Sequence, residues 1–118
     1  MKNQIFLKRF TNALAGVRDS WRSEKSFRFH TAASLAMILL LGLMRPDMIW
    51  MALLLMACGL VLTLELVNTA IEKMLDHMHP KTHPVIKTVK DTLAGAVLVA
   101  SVVSVGIFAV FIGSLMGL

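Results

Sequence analysis

The sequence is poor in cysteine, proline and charged residues. It has one cysteine and three prolines among 118 residues, and only 16% of its residues are Asp, Glu, Lys or Arg. The single cysteine, Cys58, excludes a disulfide within the chain, and inside an apolar block such a residue most often packs as a small hydrophobe. A disulfide-stapled fold is therefore excluded, and cysteine usage says little about the compartment.

Charge is missing altogether from two long stretches. No acidic or basic residue occurs from Met48 to Leu64, and the 27 residues from Thr92 to Leu118 carry no charged side chain. The composition is 57% hydrophobic with a mean hydropathy of +0.74. Because the apolar residues fall in blocks rather than in alternation, the sequence predicts an integral membrane protein with one small domain.

We expect an all-α membrane protein in which an amphipathic N-terminal surface helix precedes three transmembrane helices, all within one domain, 1–118. The surface helix is predicted for residues 1–28 and the three spans for residues 29–44, 48–77 and 90–117. The link Arg45-Pro46-Asp47 has room only for a tight turn, with Asp47 as a candidate N-cap, so the first two spans should be antiparallel neighbours. A polar link from His77 to Lys90 should join the second and third spans. Small residues in the third span, namely Gly95, Ser101, Ser104, Gly106 and Gly113, would allow close helix contact.

The predicted surface helix has two chemically different faces. Its apolar side chains fall within about 100° of arc at helical spacing. They are Phe6, Phe10, Ala13, Leu14, Val17 and Trp21, while Lys8, Asn12, Asp19 and Arg22 lie on another side. Such a helix lies in the membrane interface, and its interrupted apolar run does not fit a cleaved secretory signal. The alternative is a soluble amphipathic helix packed on a protein core.

The basic residues flank the hydrophobic blocks. Residues 1–30 carry seven Lys or Arg and residues 73–90 carry four lysines, whereas the first turn has only Arg45. The positive-inside rule therefore places the amino terminus and the second loop in the cytoplasm. The net charge of +5 is not accompanied by a nucleic-acid-binding motif. Anionic lipid headgroups and nucleotide phosphates are the expected partners, and nucleic acid is not.

Polar side chains return abruptly at the end of the second span. Glu65, Asn68, Glu72 and Asp76 follow Leu64 without an intervening turn residue. At about 100° per residue these four side chains fall within roughly 80° of one another on a helix. A carboxylate at membrane depth costs roughly 2.5 to 3.5 kcal/mol, so several on one stripe must face a site, a metal ion or partner charges.

This stripe, together with charges elsewhere on the cytoplasmic side, suits phosphoryl transfer to a lipid. Glu24 and Glu72 would hold Mg²⁺, Lys90 would contact phosphate, and Glu65 would act as the base for a lipid hydroxyl. Periodicity alone leaves rivals open. Glu65 could instead serve a small cation or proton-coupled transporter, or be a buried carboxylate satisfied by a lysine. A non-catalytic membrane partner would explain neither Glu24 nor the stripe.

Several motifs resemble one family in the same order and spacing. They are Phe10-Thr-Asn-Ala-Leu-Ala-Gly16, Glu24-Lys-Ser-Phe27-Arg28, Glu65-Leu-Val-Asn68-Thr-Ala-Ile-Glu72, Asp76 and Lys90-Asp91-Thr-Leu-Ala94-Gly95-Ala96-Val97. Over nearly the whole chain the sequence resembles the small prokaryotic diacylglycerol kinases, a family that also contains undecaprenol kinases. The resemblance implies a homotrimer in the bacterial inner membrane, with active sites shared between subunits at the cytoplasmic interface.

The resemblance also implies residue roles, with ATP as phosphoryl donor and Mg²⁺ as cofactor. Glu65 would be the catalytic base, Asn68 would orient the site, and Glu24 with Glu72 would hold magnesium on the nucleotide. The implied nucleotide-binding set adds Lys90, Asp91, His83 and Asn12, and the implied lipid-binding set is Glu65, Phe27, Arg28, His30 and Trp21. The lipid alcohol would be diacylglycerol or undecaprenol, giving phosphatidate or undecaprenyl phosphate.

Three positions depart from the pattern of diacylglycerol-type members. His30 stands where those members typically carry a carboxylate, and Phe27-Arg28-Phe29-His30 resembles the undecaprenol branch, as does Pro84 after His83. Lys81 replaces an acidic nucleotide contact found in some relatives. His30 could alternatively be a packed interfacial histidine, Glu24, Asp76 and Asp91 could be solvated charges, and the spacing of His77, His79 and His83 would permit a zinc site.

Overall fold

The chain forms four α-helices. The computed structural model describes residues 2–118, and side chains within that range from residue 5 onward. The helices are α1 (Lys2–Ser23), α2 (Lys25–Met44), α3 (Met48–Met78) and α4 (Pro84–Leu115), and no strand occurs among the described residues. The last three helices are long and apolar enough to cross a membrane. The prediction of an all-α fold with three such helices is confirmed.

The apolar face of α1 is uncovered. Phe6 is 69% exposed and Trp21 is 43% exposed, and Ser20 is the buried residue of the described part of this helix. The helix contacts α2 and α3, but its apolar side chains do not enter a protein core. This exposure does not fit a helix packed on a soluble core, whereas a helix at a membrane interface requires it.

A break at Glu24 separates α1 from α2. The backbone of Glu24 is extended, with φ −118° and ψ 111°, so the surface helix ends at Ser23 and not near Arg28. The helix that follows begins at Lys25, four residues before the start predicted for the first span. No glycine or proline marks this break, which is why the periodicity carried the predicted helix through it. Glu24 becomes the N-cap residue of α2, but its carboxylate makes no capping hydrogen bond.

The link between α2 and α3 is the tight turn expected from its three residues. Arg45 adopts the left-handed conformation with φ 47°, and its backbone N–H donates to the Leu41 carbonyl at 2.9 Å. Pro46 follows, and α3 begins after Asp47. Asp47 occupies the N-cap position as predicted, but its side chain makes no capping hydrogen bond; its backbone carbonyl accepts from Trp50 N–H at 3.0 Å.

The link between α3 and α4 is shorter than predicted. Only residues 79–83 lie between the helices, whereas the polar link was expected from His77 to Lys90, so the main difference is at its carboxyl end. The third long helix begins at Pro84, six residues before position 90, because Pro84 stands at the first helical position and His83 is the N-cap. The His83 Nδ1 accepts a hydrogen bond from Val85 N–H at 3.1 Å. The limits of the membrane-embedded parts of these helices stay predictions.

The small hydrophobic core lies near the Arg45 turn. Leu41 at the end of α2, Leu54 near the start of α3 and Phe111 near the end of α4 are almost fully buried. The rings of Phe111 and Trp50 are 5.5 Å apart. Closer to the middle, Ser104 Oγ lies 3.4 Å from the Ala57 carbonyl of α3. Of the small residues expected at close contacts, Ser104 makes one, whereas Gly95 and Gly106 have open space beside them.

Candidate active site

The opposite end of the three long helices contains an open cleft of about 480 Å³. Its walls are formed by the start of α2, the second half of α3 and the middle of α4. Five residues predicted for the site line it, namely Glu24, His30, Glu65, Asn68 and Glu72. Residues separated by up to 48 positions in sequence therefore meet at one surface, and the stripe on α3 faces that cleft as its periodicity predicts.

Glu65 is the most deeply placed ionisable group of the cleft. It is only 3% exposed, and its Oε1 lies 2.5 Å from Nδ1 of His30, which reaches across from α2. Behind it, the hydroxyl of Thr69 donates to the Glu65 backbone carbonyl at 2.9 Å. The buried carboxylate is thus hydrogen-bonded to a histidine on the neighbouring helix and not to a lysine, the partner that a purely structural role had suggested.

Asn68 lies between Glu65 and Glu72 and has an unsatisfied polar atom. Its Oδ1 is buried without a hydrogen-bond partner among the described residues, and it is the only such buried side-chain atom there. A buried acceptor without a donor costs about 1 to 3 kcal/mol, so natural proteins rarely retain one without use. Its position in the cleft makes Asn68 available to a donor group on a ligand.

Glu72 lies within the electrostatic reach of several charged groups. Its carboxylate interacts electrostatically with three other carboxylates, those of Glu24, Asp76 and Glu65, and with the ammonium group of Lys90. Glu72 and Glu24 both line the cleft, on α3 and at the α1–α2 break. Such a concentration of carboxylates favours a cation. No group of three or more His, Cys, Asp or Glu side chains able to hold a metal by itself occurs in the described part of the chain.

A second cleft of about 200 Å³ lies beside the α3–α4 link. His83, Lys90 and Asp91 line it, all three predicted to bind nucleotide. Lys90 Nζ donates to Asp76 Oδ1 at 2.5 Å, and Lys87 Nζ donates to Asp91 Oδ2 at 2.7 Å. The Lys90 ammonium group also interacts electrostatically with Glu72, which lines the larger cleft. The link histidines do not gather as the zinc alternative requires.

The remaining predicted residues lie outside both cleft linings. Asn12 is exposed on α1, and Phe27 is buried with 4% exposure. Arg28 uses its guanidinium within the chain, donating to the backbone carbonyls of Trp21 at 2.7 Å and Arg22 at 3.1 Å. These hydrogen bonds of Arg28 link α2 to the end of α1. The ligand-binding roles of Asn12, Phe27 and Arg28 stay predictions.

The cleft also has a wall that the sequence interpretation did not assign. Ala94, Val97, Leu98 and Ser101 form it on α4, and Ser26 contributes from α2. Spacings of three and four residues among the α4 positions are typical of one helix face, but in an almost wholly apolar helix that period does not stand out. The charged stripe on one side and this apolar wall on the other give the cleft two chemically distinct surfaces.

Comparisons with known proteins identify the family. The model of the prokaryotic diacylglycerol kinase family matches residues 11–112. Undecaprenol kinase of Bacillus subtilis is 41% identical over 100 residues, covering 84% of this chain and 80% of that protein. Diacylglycerol kinase of Synechocystis is 37% identical over 97 residues, covering 81% of this chain and 55% of that protein. Diacylglycerol kinase of Pseudomonas aeruginosa is 35% identical over 103 residues, covering 84% of each.

These relatives are named as lipid kinases, so the comparisons do not favour the transporter alternative. The resemblance drawn from the motifs is confirmed, and the matched range contains the positions of Glu24, Glu65 and Glu72. The chain therefore belongs to the prokaryotic diacylglycerol kinase family and is a lipid kinase.

Proposed function

We propose that this protein transfers the γ-phosphoryl group of ATP to the hydroxyl of a membrane lipid alcohol. The observation that carries the proposal is that Glu65, Glu24 and Glu72 open onto one cleft. Glu65 is nearly fully buried beside an apolar wall, whereas Glu72 lies two helical turns further along α3. One cleft thus offers a base to a lipid hydroxyl and, about 10 Å along the axis, carboxylates to a metal-bound nucleotide.

The transfer is direct, without a covalent enzyme intermediate. Glu65 takes the proton of the lipid hydroxyl as the oxygen attacks the γ-phosphorus. The bond between that phosphorus and the bridging oxygen of ADP breaks, and ADP leaves. Asn68, with its unpaired buried Oδ1, orients a hydrogen-bond donor of a bound substrate. Positioning and electrostatic stabilisation are the main protein contributions to such transfers.

Glu24 and Glu72 are proposed to hold Mg²⁺ on the nucleotide phosphates. The donor set fits this ion, since Mg²⁺ in phosphoryl-transfer sites commonly uses one or two carboxylates together with substrate phosphates and water. Two carboxylates in one cleft satisfy that requirement, whereas a cage built only from protein would need more. When bound, the ion would neutralise charge on the phosphates. Lys90, Asp91, His83 and Asn12 are proposed to contact the nucleotide.

Undecaprenol is the proposed acceptor, with diacylglycerol as the competing lipid. The run Phe27-Arg28-Phe29-His30 carries histidine at the position that distinguishes the two branches, and the Bacillus subtilis relative is named undecaprenol kinase. Trp21, Phe27, Arg28 and His30 are proposed to lie beside the bound lipid. The product would be undecaprenyl phosphate. We further propose a homotrimer with shared active sites in the bacterial inner membrane, with a cytoplasmic amino terminus.

An acceptor competition tests the proposal. Purified protein in detergent micelles receives equal amounts of undecaprenol and diacylglycerol with radiolabelled ATP and Mg²⁺, and the lipid products are separated. We expect labelled undecaprenyl phosphate to dominate. Glu65→Gln should lower turnover by about 100-fold to 10,000-fold, the usual contribution of a general base. Asp47→Asn, at the opposite end of α3, should leave turnover unchanged.

The outcomes separate the parts of the proposal. Dominant labelling of diacylglycerol would reject undecaprenol as the acceptor and leave the kinase assignment in place. Unchanged turnover in Glu65→Gln would remove Glu65 as the base. No labelled product with any lipid alcohol would overturn the proposed function itself.

A further inference from the structure

His30 and Glu65 form a hydrogen-bonded pair between two helices at the edge of the larger cleft. The Nδ1 of His30 lies 2.5 Å from Glu65 Oε1, and both residues line the cleft. The Glu65 side chain is 4% exposed, whereas the His30 side chain is 24% exposed. The pair joins residues 35 positions apart. A contact this short between α2 and α3 fixes the direction of the buried carboxylate.

The chemistry of the two groups decides which of them donates. A base must be ionised before the reaction, and an ionised carboxylate can only accept hydrogen bonds. In that state Nδ1 of His30 must carry the proton and donate a hydrogen bond to Oε1. The other oxygen, Oε2, has no hydrogen bond to any described side chain. The one buried side-chain atom without a partner in that part of the chain is Asn68 Oδ1, not Oε2. Oε2 is therefore not fully buried, and Glu65 lines the cleft. The histidine occupies one oxygen and leaves the other for a substrate.

We propose that His30 is a positioning residue, whose Nδ1–H holds Glu65 Oε1 so that Oε2 faces the acceptor hydroxyl. This inference rests on the proposed function and adds a residue that acts through the base. It differs from the lipid-contact role that the family resemblance implies for His30. A charge-assisted hydrogen bond of this kind also offsets part of the cost of burying a carboxylate.

The pair keeps its geometry throughout the transfer. The lipid O–H bond breaks and its proton moves to Glu65 Oε2, while the lipid oxygen bonds to the γ-phosphorus and ADP departs with the bridging oxygen. Glu65 is then a neutral carboxylic acid, protonated on Oε2. Its Oε1 still has lone pairs and continues to accept from His30 Nδ1–H. The base therefore does not turn away between the two protonation states.

The test compares two replacements of similar shape. Asn in His30→Asn can place an amide N–H near the former Nδ1, whereas Leu in His30→Leu offers no donor. For His30→Leu we expect kcat to fall by about 100-fold, the effect of removing one well-placed donor, with the KM for ATP within about twofold. For His30→Asn we expect kcat within about tenfold of wild type. His77→Asn, on an exposed face of α3, is the matched control.

Thermal unfolding in micelles shows whether each variant is folded, and His30→Ala, which also lacks a donor, replaces His30→Leu if the latter is not. A His30→Leu variant as fast as wild type would overturn the role of His30 while the kinase function stands. Equal losses in His30→Leu and His30→Asn, or a change confined to KM, would assign His30 to packing or lipid binding and also overturn it. A wild type that phosphorylates no lipid alcohol would overturn the proposed function and this role together.

Discussion

Glu65 and Asn68 lie within one turn of α3, but only Glu65 has a hydrogen-bond partner for its side-chain oxygen. Glu65 has one oxygen bonded to His30, whereas Oδ1 of Asn68 is buried without a partner. At a buried site the first arrangement offsets the cost of desolvation and the second does not. We therefore expect Asn68 to lower the stability of the ligand-free protein. Its retention is expected only where a bound ligand supplies the missing donor.

Replacing Asn68 by the similarly shaped Leu should separate stability from activity. Removal of a buried unsatisfied acceptor should leave the free energy of unfolding unchanged or raise it by about 1 kcal/mol. Turnover should fall by about tenfold or more, because the substrate loses a hydrogen bond. Thermal unfolding and kinase assays in the same micelles measure the two effects. A marked loss of stability would show that Asn68 has a partner within the folded protein.

Glu24 and Glu72 should determine the magnesium requirement. For Glu72→Gln and Glu24→Gln we expect the Mg²⁺ concentration for half-maximal activity to rise by about tenfold or more, since each variant loses one charged ligand. Removal of Mg²⁺ with a chelator should stop turnover of the wild type. Asp19→Asn on α1 is the control and should follow the wild-type titration. A Glu72→Gln titration that coincides with wild type would exclude Glu72 as a ligand.

At the scale of helices, the joint between α1 and α2 is stabilised by hydrogen bonds from the Arg28 side chain on α2 to backbone carbonyls of α1. Glu24 breaks the helix, and Arg28 one turn later donates to the last carbonyls of α1, those of Trp21 and Arg22. Cations favour the carboxyl ends of helices, whose final carbonyls lack intrahelical donors. Arg28 thus compensates for the break and fixes the direction in which α1 leaves the bundle.

Arg28→Ala should release α1 without unfolding the three long helices. Hydrogen bonds to a charged group contribute about 1.5 to 3 kcal/mol, and their loss should favour opening of this joint. Hydrogen exchange of backbone amides in micelles should become faster in α1, while α3 and α4 keep their protection. Arg18 is exposed on α1, and Arg18→Ala should leave exchange unchanged. Equal acceleration in all four helices would instead indicate global destabilisation.

At the scale of the whole molecule, packing and chemistry occupy opposite ends. The core of Leu41, Leu54 and Phe111 lies near the Arg45 turn, whereas the larger cleft lies between the other ends of the same helices. The long helices also leave many apolar side chains exposed, including Leu98, Val102 and Val105 on α4. Lipid or further copies of the chain would have to cover them. Stability is therefore concentrated away from the site.

Phe111→Ala should lower stability and leave substrate binding intact. Phe111 is fully buried, and truncation of a buried phenylalanine costs about 3 to 5 kcal/mol. The midpoint of thermal unfolding should fall, while the KM values for ATP and lipid stay within about twofold of wild type because the cleft is remote. Val110→Ala, at a position that is 63% exposed, is the control. A large rise in KM with little loss of stability would show coupling between the two ends.

The features that could be predicted from the sequence are those set by local patterns, whereas features that depend on packing between helices could not. Long apolar helices and the stripe of Glu65, Asn68 and Glu72 follow from hydropathy and helical period, which are local properties. The partnership of His30 with Glu65 depends on how α2 packs against α3, which no local pattern specifies. The carboxyl end of α1 and the start of α4 differ from the prediction because of local backbone features. The backbone is extended at Glu24, and α4 starts with Pro84 after an N-cap at His83, whose Nδ1 accepts from Val85 N–H.

The extended backbone at Glu24 has a mechanical consequence. Glu24 stands at the joint between a helix with an exposed apolar face and a helix long enough to cross the bilayer. Bilayer thickness influences the tilt of a spanning helix, whereas an interfacial helix stays in the plane of the headgroups. Any mismatch between these two requirements is expected to load this joint, where the Arg28 hydrogen bonds to Trp21 and Arg22 would have to resist it.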